Sequence, residues 1–270
     1  MDSWKKTGIR YRLLSVFTAV FLILNYCVTP IMAFGEEQSS DFERIAGSDR
    51  FETAVNISQE GWTSSETVIL AAGMDENLVD SLTAGPLAKL YDAPILLTAG
   101  SSLPSKTEDE LKRLGVKKAY ITSGTSVISE NVLNSVKALG IEIVNLGGKD
   151  RFETAVNIAQ QFNNTRQIFV TTAYSNADAL SVASIAANKE SPILLVSKSS
   201  LPANVSTYLD TIKEDISNTY VIGGEGVISD TVMDFFPNAE RVYGSDRYAT
   251  NIEVLKKFKT TFNYGKVYIA

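Results

Sequence analysis

The chain has 270 residues, 44% of them hydrophobic and 21% charged, and its 25 basic and 31 acidic side chains leave a formal charge of −6. This is an ordinary globular composition, which excludes a disordered or collagen-like chain and supplies apolar material for one large core or two to three small ones. Histidine is absent from the sequence, so zinc amidase sites, H-E-x-x-H proteases and Ser-His-Asp triads cannot be assembled from it.

The first segment differs in kind from the rest. Lys5, Lys6, Arg10 and Arg12 precede an apolar run over 13–28, and Pro30, Ala33 and Gly35 come after it, which is the layout of a secretory signal peptide. The run is interrupted by Asn25 and is shorter than the roughly 20 residues of a spanning helix. Residues 1–35 are therefore expected to be a signal peptide cleaved near Ala33 or Gly35, with no membrane association afterwards. Cys27, the single cysteine, leaves with it, and Leu24, Asn25 and Tyr26 do not form a lipoprotein box. Cleavage also removes those four basic residues and Asp2, which takes the formal charge from −6 to −9 and makes nucleic acid a poor partner.

An internal repeat organises the rest of the chain. DRFETAVNI at Asp49 recurs letter for letter at Asp150, and a weaker copy, DRYATNIEV, begins at Asp246. Pro94 in APILLT matches Pro192 in SPILLV, and AYITSGTSVIS ending at Ser129 matches TYVIGGEGVIS ending at Ser229. The sequence thus divides into 42–140, 141–238 and an incomplete third copy over 239–270.

In the first copy the apolar pattern predicts a strand near 44–46, a helix over 49–59, a strand over 67–71 and a helix over 81–91. A strand over 94–98, a helix over 105–114, a strand over 119–122 and a helix over 129–139 complete it. Residues 141–146 then open the second copy as a strand. The runs VILAA, ILLT and YIT are apolar throughout, as in strands covered on both faces, and each gap between strands holds one helix. The fold class is therefore α/β, built of tandem small doubly wound parallel-sheet units of flavodoxin- or Rossmann-like type with right-handed crossovers. In the third copy a helix is predicted to about residue 262, with a last strand, VYIA, over 267–270.

The motif G-x-D-R-[FY]-x-T at Gly47, Gly148 and Gly244 resembles that of the bacterial cell-wall-binding repeat type 2 family. Asp80-Ser81-Leu82 and Asp178-Ala179-Leu180, the P-I-L-L strand at Pro192 and the I-G-G-x-G-V-I-S turn at Ile222 carry the same resemblance. It implies that three repeats pack about a pseudo-threefold axis and hold a protein non-covalently on an anionic wall polymer, on the surface of the cell. It also implies an effector domain elsewhere in the parent protein, such as an amidase, so the alternative function is the anchoring half of an N-acetylmuramoyl-L-alanine amidase. No cofactor is implied. Two departures stand out: Ser123-Gly124-Thr125-Ser126 replaces the glycine-rich turn of the second copy, and the third copy is incomplete.

Eight residues are candidates for polymer binding or for contacts between repeats. Arg50, Arg151 and Arg247 lie in the first turn of a helix, where a planar guanidinium can grip an anion by two prongs; the other reading is that each pairs with an acidic neighbour and locks one repeat to the next. Asp49, Asp150 and Asp246 read as helix caps more readily than as ligands, with Glu52 and Glu153 three residues on. Asp80 and Asp178 stand just before the second helices, where they can cap, or bind at the carboxyl end of a strand. The Gly223–Gly226 turn lacks the full dinucleotide fingerprint and reads as a tight connection. No carboxylate pair is singled out for catalysis, and the chain is expected not to be an enzyme. Neighbouring repeats, in cis or in a homo-oligomer, are the expected protein partners.

Overall fold

In the computed structural model, which describes residues 43–74, 82–262 and 265, two four-stranded parallel sheets succeed one another along the chain. The expected signal peptide, Asp80 and the expected strand over 267–270 lie outside the described residues. In the first repeat, helix α1 (Arg50–Gly61) leads to β1 (Thr67–Ala72), α2 (Gly85–Leu90), β2 (Ile95–Thr98) and α3 (Ser105–Leu114). Strand β3 (Lys118–Ile121), α4 (Glu130–Ala138) and β4 (Glu142–Asn145) complete the first sheet. The second repeat runs through α5 (Arg151–Ala159), β5 (Gln167–Thr172), α6 (Asn176–Asn188), β6 (Ile193–Val196), α7 (Ala203–Ile212), β7 (Asn218–Ile222), α8 (Asp230–Met233) and β8 (Ala239–Val242). Helix α9 (Arg247–Lys257) begins the third.

The strand orders are β2-β1-β3-β4 and β6-β5-β7-β8, parallel throughout. This is the flavodoxin-type order, in which the chain changes direction between the first and third strands of each sheet and opens a crevice at their carboxyl ends. Strands β1 and β5, central in their sheets, are buried from their second residue to their last, as their unbroken apolar runs require.

Two expectations are corrected. The strand over 141–146 does not open a second sheet: β4 pairs with β3, from Lys118 opposite Glu142 to Ile121 opposite Asn145, and β8 likewise pairs with β7. Each sequence repeat therefore gives its first strand to the sheet of the repeat before it. Residues 44–46 form no strand.

The first helix of a repeat is shared in the same way. Val156 and Ala159 of α5 sit in the core of the second repeat with Ile168, Val170 and Leu194. Ile158 and nearby Phe162 point the other way, into the cluster over the first sheet that holds Ile69, Leu87 of α2, Tyr120 and Leu146. Helix α9 repeats the arrangement, with Val254 and Phe258 closing the corresponding face over Phe169, Val182 and Ile222. Such a helix is apolar on two sides because it belongs to two cores.

The repeats differ where α1 meets α3. Glu110 on α3 is almost fully buried and accepts hydrogen bonds from Ser58 Oγ at 2.6 Å, Gln59 Nε2 at 3.2 Å, and Arg113 Nε and Nη2 at 2.7 and 2.8 Å. Burial pushes its carboxyl up, but the bonds from Arg113, Ser58 and Gln59 outweigh that and hold it below the ordinary value. At the equivalent place in the second repeat Tyr208 donates its hydroxyl to Ala159 O at 3.2 Å, an uncharged solution to the same contact.

Candidate functional site

The repeated motif is mostly a device for starting a helix. Asp49, Asp150 and Asp246 each accept, at 2.8 Å through Oδ1, from the amide three residues on. Glu52 and Glu153 reach back to the amides of Ser48 and Lys149 at 2.7 and 2.8 Å, a reciprocal arrangement close to a capping box. Thr53, Thr154 and Thr250 each accept at 3.0 Å from the motif glycine's amide. A Cβ on Gly47, Gly148 or Gly244 would lie within 2.5 Å of the residue two positions after the arginine, which explains why the position is glycine.

The arginine is the one motif residue that reaches away. Arg50 Nη1 donates to Gly73 O at 2.7 Å and Arg151 Nη1 to Ala173 O at 2.6 Å, the residues just past β1 and β5. Each guanidinium thus braces the loop at the carboxyl end of the sheet.

Arg247 acts across a boundary between repeats. It is the charge that acts on Asp178 of the preceding repeat, whose carboxyl burial pushes up and Arg247 pulls partly back. Asp178 is 7% exposed and its Oδ2 lies 3.3 Å from where a Cβ on Gly223 would stand, so it occupies the crevice between β5 and β7. It does not cap α6: the helix starts at Asn176 after Ser175, which places Asp178 in the first turn. The helix therefore begins two residues before Asp178, not just after it.

A cleft of about 230 Å³ opens where the first two repeats meet, with Gly124, Ser126 and Val127 on one wall and the start of α5, from Gly148 to Arg151 with Thr154, on the other. Arg151 and Asp150 therefore share one concavity, and Asp178 with Arg247 shares the next junction. Arg50, Asp49 and Asp246 are not brought into that cleft. Sequence reasoning missed Lys149, Ser126 and the turn glycines as its lining; the only signal was the departure of residues 123–126 from the glycine-rich pattern. Among the described residues no cluster of three or more carboxylate, thiol or imidazole groups could hold a metal ion, and no helix is long and apolar enough to cross a membrane.

Comparison with known proteins decides the family. The model of the cell wall binding domain 2 family matches residues 44–133 and again 145–233. The chain belongs to the cell wall binding domain 2 family. As a member it is a wall-binding chain located at the cell wall or cell surface, and the family is one of binding domains. It is 32% identical over 237 residues to N-acetylmuramoyl-L-alanine amidase LytC of Bacillus subtilis (strain 168), covering 87% of this chain and 47% of the amidase. It is also 32% identical over 220 residues to the amidase enhancer of the same organism, covering 80% of this chain and 30% of that protein. Among solved structures, Cwp6 from Clostridium difficile superposes with a TM-score of 0.75 at 34% identity, over 80% of this chain and 35% of Cwp6. The chain spans less than half of each of these relatives. The resemblance read from the motif and the α/β repeat architecture both hold.

Proposed function

We propose that this chain is exported through the signal peptide at 1–35 and then held non-covalently at the wall by an anionic secondary polymer. The observation that carries the reading is the double match to a cell wall binding family across both repeats. A protein of formal charge −9 after cleavage is repelled by an anionic chain, with screening over about 10 Å at 0.1 M salt. Its grip must therefore come from local cations, and the cleft between the first two repeats, lined by Lys149 and Arg151, gathers them, while Arg247 beside Asp178 serves the contact between repeats. Asp49, Asp150 and Asp246 serve the fold as caps, and the chain does no chemistry of its own. In a salt titration of the mature protein bound to purified walls, release should rise steeply with ionic strength; retention indifferent to salt would argue against anionic recognition.

Faces left uncovered point to further repeats as partners, in cis or from a second copy. Tyr248, Ile252 and Leu255 line an exposed side of α9, while Val55 and Val156, the counterparts of Ile252, lie in the cores of their own repeats. The second reading is the anchoring half of a peptidoglycan amidase, favoured by the likeness to the amidase LytC. The second reading puts catalysis in another part of the parent protein, so under both readings this chain alone should give no clearing in a zymogram.

A further inference from the structure

We propose that the two junctions between repeats are not equivalent, and that the first alone takes an anionic sugar unit of the polymer, held by Lys149, while Tyr243 closes the second. This rests on the wall-polymer reading and names the place and chemistry of one binding subsite. The deciding difference is a pair of substitutions within the repeat. At the first junction Ser123 keeps an ordinary backbone, and its carbonyl oxygen lies 2.1 Å from where a Cβ on Gly147 would stand, so that position tolerates no side chain. At the second, Ser123 is replaced by Gly223 with φ +122°, a conformation open to glycine. The carbonyl of Gly223 is taken by Arg241 Nη1 at 2.8 Å, and the residue matching Gly147 is Tyr243. Its ring lies against Gly224, with Cδ2 3.2 Å from the place of a Cβ there. Gly224 matches Gly124, which lines the open cleft.

The open cleft has the size and charge for one unit of a chain. Its volume of about 230 Å³ falls below the roughly 300–1,000 Å³ of pockets for drug-sized ligands, so it fits a single sugar bearing a phosphate or carboxylate. Lys149 forms no ion pair among the described residues, and its counterparts are Ser48 and Ser245. The amides at the start of α5 contribute little more, because Asp150 already holds that of Glu153 and adds a negative charge to the same wall, and Arg151 spends its Nη1 on Ala173 O. The Lys149 ammonium therefore carries an attraction that Arg151 on the same wall shares, with Ser126 and Thr154 offering hydroxyl groups to the sugar. Ser123, next to the lining Gly124, also has a buried hydroxyl with no partner.

The test is nuclear magnetic resonance titration of the mature protein with glucose 1-phosphate, glucuronate and glucose. The amide signals of Gly124 and Gly148 should move with one or both anionic sugars and not with glucose, and Lys149→Ser should weaken the response by roughly fivefold. The double variant Tyr243→Gly with Ser245→Lys should add new shifts at Gly224 and Gly244. Still signals with every sugar, equal response to glucose, an unchanged Lys149→Ser variant, or no new shifts in the folded double variant would each overturn the proposal. Wild-type protein that still binds walls in any of those cases leaves the wall-polymer reading standing; wild-type protein that ignores walls removes that reading itself.

Discussion

Ile57 and Ile158 stand at the same position of the repeat, eight residues past the capping aspartate, yet Ile57 is 50% exposed and Ile158 is 1% exposed. The difference comes from the neighbour. Ile158 inserts into the face of the first sheet beside Tyr120 and Leu146, and Val254 does the same for the second sheet, whereas no sheet in the described residues covers Ile57. The position is therefore the coupling point between successive repeats.

Replacing Ile158 by alanine should cost about 2–5 kcal/mol, the usual loss for a buried branched side chain that leaves a cavity. Ile57→Ala should fall within about 0.5 kcal/mol of wild type, as surface changes do. Urea unfolding of the two variants checks the contrast, and equal losses would mean that the repeats are not coupled through this residue.

Glu110 makes the first repeat sensitive to acid. Its folded-state value lies below the ordinary one, so its stabilisation is complete above the unfolded value of about 4.3 and disappears as pH falls through the lower folded value. Glu110→Gln should lose on the order of 2 kcal/mol at pH 7, the scale of hydrogen bonds to a charged group. Denaturation midpoints of variant and wild type should converge as pH is lowered from about 5 to about 2; a gap that stays constant would contradict the ion-pair account.

Local chemistry was legible in the sequence and non-local chemistry was not. Asp49 and Glu52 announce a helix start because a cap needs only residues a turn apart, and α3 over 105–114 comes from its own amphipathic pattern. The apolar pattern assigns β4 to the wrong sheet because it does not encode the pairing with β3. Ile57 and Ile158 sit in identical nine-letter motifs, so no reading of the motif could separate their burial. Within the candidate site the matching letters draw attention to Arg50, Arg151 and Arg247. The cleft, by contrast, is shaped by mismatches, Ser123 against Gly223 and Gly147 against Tyr243.

Asp150→Ala separates capping from ligand binding. Loss of the bond to the Glu153 amide should cost about 1 kcal/mol of stability, while wall binding of the folded variant should not fall below wild type, because a negative charge leaves the cleft wall. A variant that keeps its stability and loses the wall would make Asp150 a ligand instead.

Asp178 should behave in the opposite sense to Glu110. Burial raises its folded value and Arg247 only partly compensates, so ionisation opposes folding, and wild-type stability from this group rises as pH falls from the raised value towards about 3.9. Asp178→Asn should therefore be no less stable than wild type at pH 7 and should lose that component of the pH dependence. A clear drop in thermal midpoint at pH 7 would show that the Arg247 contact outweighs the burial cost.

Docked repeats holding this chain on an anionic wall polymer are the heart of the account, and co-sedimentation of the mature protein with purified walls, intact and stripped of secondary polymer, tests that most directly. Binding to intact walls with loss on stripped walls is the predicted result; equal retention on both would contradict it.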